Sequence, residues 1–401
     1  MQAGVWYQMG DKSQVMVRDL LKKGIGVGVI LSQRDLSAEN AKRYAANYRM
    51  RGADVLVDMQ FYNPGFSNPK LLTYPSKELR LPMSRLLRQS DDYYKRVAAV
   101  TTQLNSTLQT SAVLAPSLVL EAARPEFANT NRRLLQAARV AATDLGLPLL
   151  ATVALGRSIT AADEPLMRAL SDATSLDCDG WYFAFEFPPC RVPYTKEDVR
   201  RLGTALLMLA CTGKPVLHAF AGLLAPLSLT WGATGAAIGH SQNLWKFVRE
   251  RWEPTSGAGG GGGAPSRFFS SALWGTIVYP DETRRLSEVL RSAVMTPSPY
   301  AERAMRDQEW SRWDSHKHLL YVVGKVTQAI AGISSRTDRE RQVGAVLKSA
   351  VRMHHRVLKF IPSLKDGTDK YQAGWADALR KVRAQRSEEY EYLSLLESAS
   401  E

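Results

Sequence analysis

An aspartate, a carboxamide and two aromatic side chains fall together in Asp58-Met-Gln-Phe-Tyr62, directly after the apolar run Ala53-Asp-Val-Leu-Val57. A carboxylate can stabilise positive charge or take a proton from water. A carboxamide can donate and accept along one hydrogen-bonding edge, and a ring can stack on a planar group. Asp58 is therefore the candidate catalytic carboxylate, and Gln60, Phe61 and Tyr62 are candidate groups for holding a planar ligand. Glu186, after Trp181-Tyr-Phe-Ala-Phe185, is the second candidate acid or base. His218 and His240 stand inside or just after apolar runs and join the binding candidates, while Arg34, Arg157 and Arg267 are candidates for phosphate. Each has a structural alternative. Asp58 would cap the next turn and Phe61 fill the core; Glu186 would be satisfied by Arg157 or a loop amide; His218 would be a hydrogen-bonded core histidine; the arginines would be salt-bridged.

The elements that must position these residues alternate. Gly24 to Ser32 reads as a strand, Ser37 caps a helix to about Arg51, and the Asp58 run is the next strand, bounded by Gly52 and Asn63-Pro64-Gly65. Leu79 to Leu108 is largely helical, and Ser111 to Glu121 gives a third strand and its loop. Leu147 to Leu155 is a fourth and Asp179 to Glu186 a fifth; Thr195 then opens a helix to about Thr212. Lys214 to Ala221 is a sixth strand and Gly235 to His240 a seventh, followed by a helix over Asn243 to Arg249. A glycine-rich run, Gly257 to Gly263, reads as a flexible linker, because it lacks the Lys-Ser/Thr ending of a phosphate loop. Arg267 to Gly275 is the expected eighth strand or its surroundings. Strands and helices alternating about eight times predict a (β/α)₈ barrel over residues 1–295, where catalytic groups sit at the carboxyl ends of strands. Residues 296–401 read as an appended basic helical extension with an acidic tail. There Arg336, Arg339, Arg341, Lys348, Arg352, Arg356 and Lys359 are expected to face outward, and His316, His318, His354 and His355 to sit on solvated or phosphate-contacting faces.

With 401 residues, 45% of them hydrophobic, the chain can bury a full core, and its formal charge of +13 points to an anionic partner. No apolar run is long enough to span a bilayer, and Met1 to Trp6 does not resemble a signal segment, so nucleic acid is the expected partner rather than a membrane. Cys178, Cys190 and Cys211 are odd in number and far apart, which predicts neither a disulfide framework nor a metal site, and a cytoplasmic protein. No cofactor is expected.

Leu56-Val-Asp-Met-Gln-Phe61 resembles the Asp-Ser-Gly-Gly-Phe-Gln strand end of the tRNA-guanine transglycosylases, with Asp58 on that family's catalytic aspartate. Ala221-Gly-Leu223 is weakly similar to their Gly-Gly-Leu loop, and Ser266 to Gly275 to their Pro-Arg-Tyr-Leu-Met-Gly segment. The resemblance covers roughly residues 20 to 295. It departs in lacking the Cys-x-Cys-x-x-Cys zinc motif and a second aspartate that can be placed on the chain. What the resemblance implies is a zinc-less, DNA-acting relative: an N-glycosylase that removes a flipped-out, modified base from double-stranded DNA and leaves an abasic site, in defence against phages. Base exchange in tRNA or DNA is the alternative within that family. A barrel that binds nucleic acid without catalysis, and a metabolic barrel acting on a small phosphorylated substrate, are alternatives outside it.

Overall fold

The computed structural model describes residues 1–188, 195–253, 265–306, 308–362, 364 and 369–398. Strands β1 (Gly4–Gln8), β2 (Gly28–Ser32), β3 (Asp54–Asp58), β4 (Val113–Leu114), β5 (Leu149–Leu155), β6 (Gly180–Phe185), β7 (Val216–His218) and β8 (Gly235–Ile238) form one parallel sheet in the order β3-β2-β1-β8-β7-β6-β5-β4. Between β3 and β4 the curve is bridged by Ser111, whose N–H donates to Val55 O at 2.8 Å and whose Oγ accepts the Val55 N–H at 3.1 Å. The sheet is thus a nearly closed (β/α)₈ barrel, as the alternation of elements predicts.

Period-two alternation divides the strands between two cores. Trp6, Ile30, Leu56, Leu150, Tyr182 and Leu217 fill the interior, whereas Val5, Val29, Val55, Leu149, Trp181 and Val216 lie beneath the outer helices. Burial on both faces is why these strands read as near-continuous apolar runs. Trp6 fits inside only because its neighbours on β2 and β8 are glycines: a Cβ at Gly28 would lie 2.4 Å from Trp6 Cζ3, and one at Gly235 2.8 Å from Trp6 Cδ1.

The main helices between the strands are α1 (Gln14–Lys22), α2 (Ala38–Arg49), α3 (Asp91–Leu108), α4 (Pro125–Leu145), α5 (Asp163–Thr174), α6 (Lys196–Ala210) and the short α7 (Ala225–Thr230). Ser37 and Thr195 are N-caps, accepting from the N–H groups of Asn40 and Asp198. Beyond the barrel strands come α8 (Arg312–Ala331), α9 (Arg336–Leu358), α10 (Asp369–Gln385) and α11 (Ser387–Ser398). Helix α8 packs on β1 and α7, in the place of the eighth barrel helix, and a Cβ at its Gly324 would stand 2.9 Å from Ile25 Cγ2. Helix α9 packs on α7 and α10 on α6, so the C-terminal helices share the outer core of the barrel.

Four expectations need correction. The first barrel strand is Gly4–Gln8, which precedes the Gly24–Ser32 run. Arg267–Gly275 is not a barrel strand: β9 (Arg267–Ser270) and β10 (Gly275–Val278) pair antiparallel as a separate hairpin, because Phe268, Leu273 and Ile277 belong to another apolar cluster with Trp310, Val357 and Ile361. That cluster also crosses the boundary drawn at residue 295. The segment Asn243–Arg249 is no helix but an irregular chain with short 3₁₀ turns at Gln242–Leu244 and Arg249–Trp252, whose apolar residues Leu244, Phe247 and Trp252 turn into the barrel mouth. In the C-terminal helices, His318, His354 and Arg336 are buried rather than solvated. His318 bonds Ser298 Oγ and Phe269 O, His354 bonds Leu273 O, and Arg336 meets Thr230 O and Glu397. The glycine run 257–263 and Cys190 lie outside the described residues.

Candidate active site

Asp58 ends β3 at the carboxyl mouth of the barrel and is 5% exposed. The chain then turns through Gln60, a non-glycine residue with φ of 53°, which brings the Gln60 N–H to 2.8 Å from Asp58 Oδ1. Such left-handed backbone is sparsely populated and concentrates at functional sites. Asp58 Oδ2 accepts from the Tyr62 hydroxyl at 2.9 Å and from the Tyr182 hydroxyl, reaching across from β6, at 3.1 Å. Burial pushes the Asp58 carboxyl up to about 6, against the opposing pull of the Gln60 amide, the two hydroxyls and the charge on Arg251.

A second layer fixes this group. The Tyr182 hydroxyl also lies 3.3 Å from Gln8 Oε1 at the end of β1, so its one proton has two acceptors within reach. Gln60 Oε1 accepts from Ser32 Oγ at 3.1 Å and from the Trp252 indole N–H at 3.2 Å, and the Gln60 Nε2 is buried with no partner. Ser32 also lies 2.7 Å from Asp35, which holds Arg34 at 3.1 Å and pairs with Arg251. Burial raises Asp35, but the two arginines and Ser32 overcome it and hold the carboxyl below its usual range. Two carboxylates on one network are thus pushed in opposite directions, Asp35 toward permanent charge and Asp58 toward titration near neutrality.

Residues 241–253 form a strap over the mouth. Tyr62 packs edge-on against Trp252 at 4.8 Å and Phe247 at 4.9 Å, and Phe220 stands 5.7 Å from Phe247. The strap is tied down by Glu186, whose Oε1 accepts the Arg249 N–H at 3.1 Å and its Nε–H at 3.0 Å, by Arg251 on Asp35, and by Asn63 Nδ2 donating to Trp252 O at 2.9 Å. Asp58 is sealed beneath it. Clefts open on either side: one of about 440 Å³ touches Tyr62, Glu121, Arg249 and Trp252, and one of about 820 Å³ touches Arg34, His240, Arg251, Arg267 and Trp313.

Of the residues singled out in the sequence, Asp58, Gln60 and Tyr62 are brought together. Glu186 lies at the exit of β6 with its second oxygen 2.6 Å from the Arg157 N–H; burial raises its carboxyl and Arg249 opposes that. Its geometry is that of an anchor for the strap. Phe61 turns the other way, fully buried in the outer core with the Arg80 guanidinium 5.0 Å over its ring. His218 bonds Ser228 of α7 at 2.8 Å, its ring 6.1 Å from Phe183, and burial pushes it down to about 3. Arg157 pairs with Asp198 at 2.7 Å, and Arg34 donates to Arg251 O at 2.8 Å. His240 and Arg267 line the larger cleft, where burial holds His240 down to about 4.

Sequence reasoning missed Gln8, Ser32, Tyr182, Arg251 and Trp252. Gln8 closes the overlooked first strand, and Tyr182 sits within an apolar run where one inward hydroxyl leaves no mark on the pattern. A polar residue at an inward position of a buried strand is the signal that would have found Tyr182, once its neighbours were assigned to faces.

No protein-family model matches the chain, and no curated protein matches it. Among solved structures, a glycerol uptake operon antiterminator-related protein from Thermotoga maritima is 14% identical, covering 62% of this chain and 100% of its own, with a TM-score of 0.30. A putative fructose-1,6-biphosphate aldolase from Coccidioides immitis is 10% identical over 82% of this chain and 92% of its own, with a TM-score of 0.36. Dihydrodipicolinate synthase from Oceanobacillus iheyensis is 11% identical over 96% and 98%, with a TM-score of 0.33.

Proposed function

We propose that this barrel hydrolyses the N-glycosidic bond of a base in nucleic acid, with Asp58 as the catalytic carboxylate. One observation carries the reading: a buried carboxylate at the barrel mouth, pushed up to about 6 and held between two tyrosine hydroxyls. At neutral pH such a group is mostly ionised yet basic enough to take a proton. As the bond between the sugar C1′ and the base nitrogen breaks, its electron pair leaves with the base and positive charge builds on the sugar. Asp58 stabilises that charge, or removes the proton of the water that adds to C1′. The products are a free base, protonated from solvent, and an abasic sugar.

The surroundings fit a planar ligand. The Gln60 Nε2 has an unused donor, and the Tyr62 ring would offer its face once Trp252 and Phe247 withdraw. A base reaches the site only if it is flipped out of its stack and the strap opens. The charge of +13 favours an anionic polymer. The resemblance of Leu56–Phe61 to the transglycosylase strand end supports the same carboxylate, and with it a DNA substrate carrying a modified base and a place in phage defence.

The test is incubation of the purified protein with ordinary DNA, base-modified DNA and tRNA, followed by mass spectrometry of released bases in the presence of a labelled free base. Release without uptake of label is the expected result. Uptake of label would assign base exchange instead, and neither product, with tight binding, would assign a non-catalytic binding barrel.

A further inference from the structure

The larger cleft beside the Asp58 site carries polar groups that the protein itself leaves unmatched. Arg251 and His240 both line it and are 8% and 7% exposed. Arg251 gives Nη2 to Asp35, but its Nε and Nη1 find no acceptor, and neither does Nδ1 of His240. Buried guanidinium donors without partners are costly to keep, and an anion matches them with charge-assisted hydrogen bonds. The cleft's own carboxylates do not fill that role. Asp11 is engaged by Lys70 at 2.7 Å, and Asp35 by Arg34 and Arg251.

The rim has a different character. Trp313, on the first turn of α8, is 44% exposed, its ring lying 6.4 Å from the His240 ring at an interplanar angle of 23°. His316 stands edge-on to both rings, at 5.0 Å from His240 and 5.7 Å from Trp313. An exposed indole supported from behind by two imidazoles is a platform for a flat ring. Arg312 precedes it on the same turn, adding positive charge at the entrance.

We propose that this cleft binds a nucleotide unit, its phosphate on the unmatched donors of Arg251 and His240 and its base stacked on Trp313. The volume of about 820 Å³ accommodates a ligand of that size. The proposal does not depend on Asp58 breaking a bond, since it concerns recognition by His240 just past β8 and by groups on the strap and α8. A free mononucleotide and a nucleotide within a single strand present the same chemistry, and the titrations below separate them.

Calorimetric titration of the full-length protein with inorganic phosphate, with nucleoside 5′-monophosphates and with a short unmodified single-stranded oligonucleotide provides the test. At least one nucleotide ligand should bind saturably and roughly five-fold or more tighter than phosphate, from the stacking contribution. Trp313→Ala should remove that advantage, and Arg251→Gln should weaken all ligands. Should Arg251→Gln fail to fold, the exposed change Arg312→Glu takes its place, with the same weakening expected. Tighter binding of the oligonucleotide assigns the cleft to a strand, and tighter binding of the monophosphate to a free nucleotide. The proposal is overturned if no ligand saturates, if nucleotides bind no tighter than phosphate, or if Trp313→Ala and Arg312→Glu leave affinity unchanged. Asp58→Asn should bind nucleotides as the wild type does, so base release that survives in this variant with binding intact would count against the role of Asp58 alone and leave the cleft untouched.

Discussion

Replacing Asp58 by Asn should make the protein more resistant to denaturant at alkaline pH than at acid pH, relative to the wild type. The folded carboxyl titrates at about 6 against 3.8 for the free group. A carboxyl whose folded pKa is raised binds its proton more tightly in the native state. Its ionisation therefore costs nothing below the unfolded value, an increasing amount as pH rises between the two, and the full amount above the folded value. The difference of about two units corresponds to roughly 3 kcal/mol, of which ~1 is already present near pH 4.5 and ~2 more appears by about pH 8. Asparagine keeps the shape and does not ionise, so this increment should be the pH-dependent part of the difference between variant and wild type. Urea unfolding of both proteins near those two pH values, followed by circular dichroism, measures it, and the histidines common to both cancel. A difference that changes by less than about 1 kcal/mol between the two conditions would mean that Asp58 ionises at an ordinary pKa, and the argument that it is poised as a base would fail.

Three further expectations can be checked. Removing the strap's tie through Arg249→Ala deprives the buried Glu186 of its charged side-chain donor, the Arg249 Nε–H, and leaves it only the backbone N–H there, so amide exchange over 241–253 should quicken; unchanged exchange would mean that the packing of Trp252 and Phe247 alone seals the mouth. His218, His240, His316 and His318 are all held down by burial, so their contribution is intact above the unfolded value of 6.5 and lost as pH falls toward their folded values of about 3 to 4. The unfolding free energy from urea titrations should accordingly drop from about pH 6.5 downward by up to ~1.4 kcal/mol per pH unit for each group, with a shallower slope in His218→Phe. Lys348, Arg352 and Arg356 are exposed one turn apart on α9, and replacing all three with Gln should lower the slope of log affinity for DNA against log salt by about 0.9 per charge; an unchanged slope would place DNA elsewhere.

The barrel is legible in the sequence because its strands are covered on both faces and stand out as apolar runs between helical stretches. The count of strands survives two compensating errors. Gly4–Gln8 is short and ends in a polar glutamine, so it carries little apolar signal, while Arg267–Ser270 is apolar for the sake of a cluster with Trp310 and Val357. Asp58 and Tyr62 could be paired from spacing alone, being joined through a single turn. Tyr182 and Arg251 could not, because their contacts with Asp58 and Asp35 are made by barrel closure between positions far apart in the chain. The strap misled the reading for a related reason: Leu244, Phe247 and Trp252 recur at a near-helical interval, yet they plug a mouth and do not coat a helix.

The most direct test of the catalytic claim is strand breakage after mild alkali in duplexes carrying a panel of modified bases, with wild type and Asp58→Asn compared beside their DNA-binding curves. The account predicts alkali-labile abasic sites with the wild type on at least one duplex, and at least ~10²-fold fewer with Asp58→Asn at unchanged DNA affinity. Equal breakage by a folded Asp58→Asn protein would contradict it.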